Sequence, residues 1–334
     1  EVAIKVISVL EQKYVEELPT VESIQDTVEE VLMNDGQTKL AKEFILYRQK
    51  RKEIREVKSM MGIEDDCKFP INALKVLEGR YLQKSSDGKL LETPRQLLER
   101  VARNVSEADL KYGIDPKLNE EKFLELMLSR DFMPNSPTLM NAGTKIQQLS
   151  ACFVLPIDDT MEGIFDAVKH TALVHKTGGG TGFSFSRLRP RGSPVGTTGG
   201  VASGPISFMR VFDAATNVIK QGGKRRGANM GVLRVDHPDV LDFITCKERD
   251  DTINNFNISV GLTDNFMEAL QKKEKFSLLD PKTKEVHNQL DAQRVFDLLC
   301  TMAWKNGDPG IMFIDRMNWP ESNPTPEIGV IEST

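Results

Sequence analysis

Apolar residues recur at helical spacing through the front of this chain. Val21, Ile24, Val28 and Val31 follow Thr20, a residue type suited to an N-cap, and residues 34–36 (Asn-Asp-Gly) supply a stop. A second helix is predicted over "KLAKEFILYRQKRKEIREVK", with Leu40, Phe44, Tyr47 and Ile54 on its apolar side. Cations crowd its other side, which reads as a solvated basic face rather than a nucleic-acid site. The pattern stays helical from 69 to 139. Thr93, Pro94 and Gln96 carry a capping-box signature, and Asn119 is expected to cap a helix at "NEEKFLELML".

After Leu149 the texture changes. A short apolar strand, "ACFVLP", precedes a helix from Thr160 to about His175, with Met161, Ile164, Phe165 and Val168 on one side. Strands are then predicted at "GFSFSRL", "ANMGVLRV", "FNISVGL" and "IMFI". Helices separate them at "ISFMRVFDAATNVI", "HPDVLDFI", after Asp264 and at "AQRVFDLLCTMAW", with a hydrophilic break near "LDPKTKEV". Strands alternating with helices imply parallel pairing. The fold class is therefore α/β, a barrel or large open sheet, behind an all-helical front.

Composition narrows the function. The 334 residues carry a net charge of −5, so the molecule as a whole does not attract polyanions, and no nucleic-acid partner is expected. Any phosphate site must be local. No apolar run approaches the ~20 residues of a membrane span, so no membrane partner is expected. Cys67, Cys152, Cys246 and Cys300 are scattered without a CxxC pair. That argues against a disulfide scaffold or structural zinc, for a cytoplasmic protein, and for no metal ligand set. The chain opens at Glu1 and stops at "GVIEST", which reads as a fragment.

Three glycine-rich connectors carry the chemical signal. "HKTGGGTGF" has four glycines in five residues but neither P-loop nor dinucleotide-fold spacing. One glycine suffices to cap a helix, so a ligand lying on the backbone is the better reading. "IKQGGKRRGANMG" places Lys220, Lys224 and Arg225 among glycines; alone it is equally an exposed basic loop or a phosphate grip. Arg187, Arg189 and Arg191 tilt it toward phosphate. With "GTTGGVASGP", these connectors are expected to form one nucleotide-sized site at one end of the sheet. "NSPTLMNAG" alone is turn chemistry, and Cys152 alone is either a small buried hydrophobe or a redox group awaiting a partner.

Taken in order, "MPNSPTLMNAG", "LSACFVLPIDD", "KTGGGTGFSFSRLRPRGSP", "QGGKRRGANMGVLRVDHPDVLDFI" and "NNFNISVGLTDNFMEAL" resemble the large catalytic chain of ribonucleotide reductases. The wording is most similar to the adenosylcobalamin-dependent class II. Residues 1–57 resemble the second part of an ATP-cone, a regulatory nucleotide module. The resemblance implies a partial ATP-cone over 1–57 and a helical domain over 58–148. Over 149–334 it implies the first part of a ten-stranded α/β barrel, built in the family from two antiparallel sets of five strands.

It also implies reduction of ribonucleotides, diphosphates in preference to triphosphates, by thiyl-radical chemistry and a cysteine pair. Cys152 matches the first member of that pair. Ser136, Ala151, Cys152 and Gly180 match substrate-binding positions. Asp159 and Arg189 match the site of the deoxynucleotide effector, and "IKQGGKRRGANM", with Lys220, Lys224 and Arg225, matches the loop that relays its message. Adenosylcobalamin, ATP and deoxynucleotide effectors, a thioredoxin-type or glutaredoxin-type reductant and a homodimer follow from the same resemblance. The family's radical-cysteine motif would come just after "GVIEST", so this polypeptide alone is expected to be inactive. The competing readings are a class I large chain served by a separate metal subunit, and a non-catalytic nucleotide-binding module.

Overall fold

The computed structural model describes residues 2–15, 17–60, 62–63, 67–196, 199–219, 227–248 and 253–334. The chain divides into two compact units, 1–98 and 99–334.

The first unit is helical, with α1 (Val2–Lys13), α2 (Val21–Asn34), α3 (Thr38–Met60) and α4 (Ile71–Val76). Thr20 caps α2 as expected, its Oγ1 accepting from the Ser23 amide at 3.1 Å. The apolar side expected for α3 is corrected: Leu40 and Tyr47 are exposed, whereas Ala41 is buried. Arg48, seven residues on from Ala41, lies on the same face and pairs with Glu29 at 2.5 Å and Asp26 at 2.8 Å. Part of the basic face is thus neutralised within the unit. The capping box forms at the start of α5 (Pro94–Ser106): Thr93 N–H donates to Gln96 Oε1 at 2.9 Å, and Gln96 N–H to Thr93 Oγ1 at 3.3 Å.

In the second unit α6 (Pro116–Ser129) starts before Asn119, which is therefore not its cap. Asp115 caps it, because Pro116 has the fixed φ and missing N–H that suit the first helical position. Asn119 instead donates to Asp109 Oδ2 at 2.7 Å. The elements that follow are α7 (Ser136–Asn141), β1 (Cys152–Val154), α8 (Met161–Lys176), β2 (Gly180–Ser184), β3 (Pro194–Val195), β4 (Gly200–Val201) and α9 (Pro205–Val218). Then come β5 (Asn229–Arg234), α10 (Val240–Thr245), β6 (Phe256–Leu262), α11 (Asp264–Lys272), β7 (Lys275–Leu279), β8 (Val286–Asp291), α12 (Ala292–Asn306), β9 (Gly310–Phe313) and α13 (Ile314–Met317).

Strands β1-β2-β5-β6-β9 form one sheet in that order, every neighbouring pair parallel, as the alternation required. The hydrophilic break near "LDPKTKEV" is the turn of an antiparallel hairpin, β7–β8, which the sequence pattern did not reveal. Asp280 shapes that turn by accepting the Lys282 and Thr283 amides, both at 2.9 Å.

Side chains alternate across the sheet. One face is apolar and covered by helices. Phe183 of β2 and Phe212 of α9 stack with ring centroids 4.7 Å apart, and Phe185 and Phe256 complete the cluster. On α8 the buried row is Ile164, Ala167, Thr171 and His175; Met161 and Phe165, expected inside, are exposed. The other face is small and polar. Its rows, read across the register, are Cys152–Gly180, then Val154–Gly182–Met230–Asn257, then Ser184–Val232–Ser259–Gly310. Residues 331–334 lie on this face. A Cβ on Gly182 would stand 2.0 Å from the Thr334 carbonyl oxygen, so only glycine lets the chain pass there.

Because the strands are parallel, the glycine connectors fall at two ends rather than one. Residues 177–180 and 227–228 lead into the amino ends of β2 and β5, whereas 199–205 come after the carboxyl end of β2.

Candidate active site

Four glycines, two between α8 and β2 and two within β2, form the run 178–182, and most of them answer to packing. Gly178, at φ +94°, turns the chain out of α8. A Cβ on Gly179 would stand 2.7 Å from both Phe153 Cε2 and Val174 Cγ1, and Gly182 lies beneath Thr334. Gly180 is the member left for a ligand. It is half-buried, with the Ala151 and Ala228 carbonyls nearby and Cys152 directly across the strand pair.

The Cys152–Gly180 corner is held from several sides. Gly180 N–H donates to Ala151 O at 2.7 Å, and Thr181 N–H to Ala228 O at 3.1 Å. Short helix α7 is tied to the same corner. Its cap, Asn135, accepts the Thr138 amide at 2.9 Å; Thr138 Oγ1 donates to Leu149 O at 2.9 Å. Asn141 Nδ2 donates to both Gln148 O (2.8 Å) and Thr177 O (3.2 Å), joining the stretch before β1 to the stretch before β2. Ser136 opens α7. The fold therefore gathers Ser136, Ala151, Cys152 and Gly180 at the amino end of β1 and β2. Cys152 is exposed and unpaired with any other cysteine, which removes the reading of a small buried hydrophobe. Cys246 is its opposite: burial pushes that thiol up to about 12, and it stays protonated at neutral pH.

Asp159 and Arg189 meet at the other end of the same two strands. Arg189 Nε donates to Asp159 Oδ2 at 2.7 Å, its backbone amide to Oδ1 at 3.1 Å and Nη2 to the Asp159 carbonyl at 3.3 Å. Asp159 thereby fixes the orientation of a partly exposed guanidinium. Lys220, Lys224 and Arg225 lie outside the described residues. A nearby cavity of about 670 Å³, lined by Arg191, Arg210, Asp239, Asp242 and Cys246, does not include Cys152. Its two cations are matched by two carboxylates, so it offers an anion no net charge.

Sequence reasoning missed the buried histidines. His175 and His237 are 0% and 2% exposed. Burial pushes both imidazolium groups below the ordinary histidine range; the Ala228 carbonyl opposes this for His175, and the Leu188 carbonyl with Asp239, Asp236 and Asp280 opposes it for His237. The available signal was the helical row Ile164, Ala167, Thr171, which continues to position 175.

Profiles of three domains match the chain: the ribonucleotide reductase barrel domain over 150–334, its all-alpha domain over 67–147 and the ATP cone domain over 1–53. The chain belongs to the ribonucleotide reductase family. Its α/β sheet is accordingly part of the reductase barrel. A vitamin B12-dependent ribonucleoside-diphosphate reductase of Thermoplasma acidophilum is 46% identical over 396 residues, covering all of this chain and 51% of the relative. One of Mycobacterium tuberculosis is 43% identical over 318 residues, covering 94% of this chain and 45% of the relative. The ribonucleoside-diphosphate reductase large chain of Schizosaccharomyces pombe is 29% identical over 291 residues, covering 79% and 35%. This reductase chain spans about half the length of the two B12-dependent relatives.

Two outcomes follow from the geometry. Brief alkylation of the native protein, mapped by mass spectrometry, is expected to modify Cys152 and Cys300 and to spare Cys246; a protected Cys152 would contradict the exposed corner. The depressed folded-state pKa values of His175 and His237 mean that the unfolded chain binds more protons below pH ~6.5. Their stabilisation is present above that pH and lost as pH falls, so the thermal midpoint should drop between about pH 7.5 and 5. A flat or rising midpoint would show that these histidines are not buried in the neutral form.

Proposed function

We propose that this chain is part of a vitamin B12-dependent reductase that converts ribonucleoside diphosphates to 2′-deoxyribonucleotides, with Cys152 as one of its two reducing thiols. The observation that carries this reading is the exposed Cys152 on a strand paired in register with Gly180, which has no side chain to exclude a ribose. In the net reaction two thiols become a disulfide, the 2′ C–O bond breaks, C2′ gains hydrogen and the hydroxyl leaves as water. The pair supplies both electrons. Disulfide formation needs a second cysteine with its Cα within ~7 Å. As the family resemblance implies, that partner is proposed to lie outside residues 1–334, and this chain alone to be inactive. Ser136, the Ala151 backbone and Gly180 are proposed to bind substrate.

Adenosylcobalamin is proposed over a separate metal subunit because the relatives named as B12-dependent are 46% and 43% identical, against 29% for the Schizosaccharomyces pombe large chain. The cofactor would supply the radical when bound. Around Cys152 the described residues suit a sugar but build no cradle for a corrin ring, since Ser333 and Thr334 already cover β2 at Gly182. No step is therefore routed through it. Asp159 and Arg189, with Lys220, Lys224 and Arg225, are proposed to bind a deoxynucleotide effector, and the ATP-cone part to belong to ATP regulation. The domain reading is 1–57, 58–148 and 149–334.

A homodimer is the proposed assembly, supported by the exposed apolar row Met161, Phe165 and Leu173 on α8. The reductant is proposed to be of thioredoxin or glutaredoxin type, and the compartment the cytoplasm. Among the described residues no helix is long and apolar enough to cross a membrane.

The test uses a full-length chain continuing past Thr334, supplied with adenosylcobalamin, a dithiol and no second subunit. Turnover of a ribonucleoside diphosphate is expected, and Cys152→Ser should abolish it. Undiminished turnover by that variant would remove Cys152 from the reducing pair.

A further inference from the structure

A buried chain of hydrogen bonds runs beneath the Cys152–Gly180 corner on the helix-covered side of the sheet. His175 Nε2 lies 3.1 Å from Thr181 Oγ1, and Thr181 Oγ1 lies 2.7 Å from Asn229 Oδ1. Asn229 Nδ2 lies 3.0 Å from Thr216 Oγ1, which in turn lies 2.8 Å from the Phe212 carbonyl. All four side chains are at least 96% buried.

The direction of every bond follows from counting protons. A hydroxyl has one hydrogen to give. The Phe212 carbonyl can only accept, so Thr216 donates to it and must accept from Asn229. Asn229 therefore presents Nδ2 to Thr216 and Oδ1 to Thr181; flipping its amide would ask Thr216 to donate twice. Thr181 then donates to Asn229 and accepts from His175. His175 is thus the Nε2–H tautomer, and its Nδ1 holds a lone pair. That atom is buried and has no partner within hydrogen-bond geometry among the described residues; the Ala228 carbonyl near the ring favours only its protonated form. A Cβ on Gly227 would stand 3.1 Å from Nδ1 and 2.7 Å from Thr216 Cγ2, so the backbone leading into β5 lies against the ring.

For folding alone an apolar side chain at 175 would avoid an orphan buried acceptor. What the imidazole adds is a fixed donor to Thr181. Thr181 follows Gly180, and its backbone N–H already holds Ala228 at 3.1 Å. Its side chain therefore fastens the glycine floor to the start of β5 a second time, from the opposite face. Gly179, Gly180 and Gly182 have no side chains with which to lock their own positions.

We propose that His175 is a positioning residue for nucleotide binding, acting through Thr181 and Asn229 to hold the Gly180 floor beside Cys152 in line with β5. The proposal rests on the reading of that corner as the substrate site. Its residues touch neither the thiol nor the sugar, so their loss should weaken binding more than chemistry.

The experiment measures KM and kcat for a ribonucleoside diphosphate in the full-length reductase, with thermal midpoints recorded in parallel. Thr181→Val and His175→Leu are expected to raise KM about tenfold while kcat stays within about threefold. His175→Gln, which keeps a donor near Nε2, should bring KM back to within about threefold of the unaltered enzyme. Should His175→Leu fail to fold, the near-isosteric Thr181→Val gives the same comparison. Unchanged KM in folded Thr181→Val, or no rescue by folded His175→Gln, would overturn the positioning role. An unaltered full-length enzyme that reduces no nucleotide would instead overturn the functional reading itself.

Discussion

Parallel pairing sets Cys152 against Gly180, and the rest of the site depends on that register. A one-residue slip of β1 would turn the thiol to the opposite face of the sheet, into the layer occupied by Phe153 and Thr181. The register is enforced from both faces and from the flank. Backbone bonds join Gly180 to Ala151 and Thr181 to Ala228, the aromatic cluster locks β2 onto α9, and α7 clamps the approaches to both strands through Thr138 and Asn141. Each restraint is ordinary in strength. Together they leave the Cys152 sulfur exposed, across the strand pair from Gly180.

The same strands carry both regions proposed to bind ligands. At their amino end lies the Cys152 corner; at their carboxyl end Asp159 grips Arg189. Strand β2 is short and packed through Phe183 on Phe212, so it has little freedom to deform between its two ends. This arrangement is compatible with an effector that influences substrate choice without touching the substrate. The buried relay from His175 to Thr216 lies at the amino end, where β2 and β5 begin side by side.

Much of this was legible in the residues. The helix starts at Thr20, Thr93 and Thr160 follow from cap chemistry, and the parallel sheet follows from strand–helix alternation. Errors arose where tertiary packing chose among equivalent patterns. Asn119 and Asp115 are both good caps, and Pro116 decided between them. Met161 and Phe165 share a helical face, but the row Ile164, Ala167, Thr171 and His175 went inside, with the histidine meeting Thr181. The β7–β8 hairpin escaped because β8, "VHNQLD", is largely exposed and has no hydrophobic alternation. The glycine run reads in sequence as a ligand floor, whereas packing against Phe153, Val174 and Thr334 accounts for two of its four members. Spacing alone cannot separate a glycine that makes room for a ligand from one that makes room for the chain.

The central claim is a distance between one sulfur and one sugar. A crystal structure of the full-length enzyme with a bound ribonucleoside diphosphate measures it directly. The account predicts the ribose over Gly180, with the Cys152 sulfur within about 3.5 Å of the 2′ oxygen. A nucleotide seated elsewhere, with that thiol turned into the aromatic layer around Phe183, would contradict it.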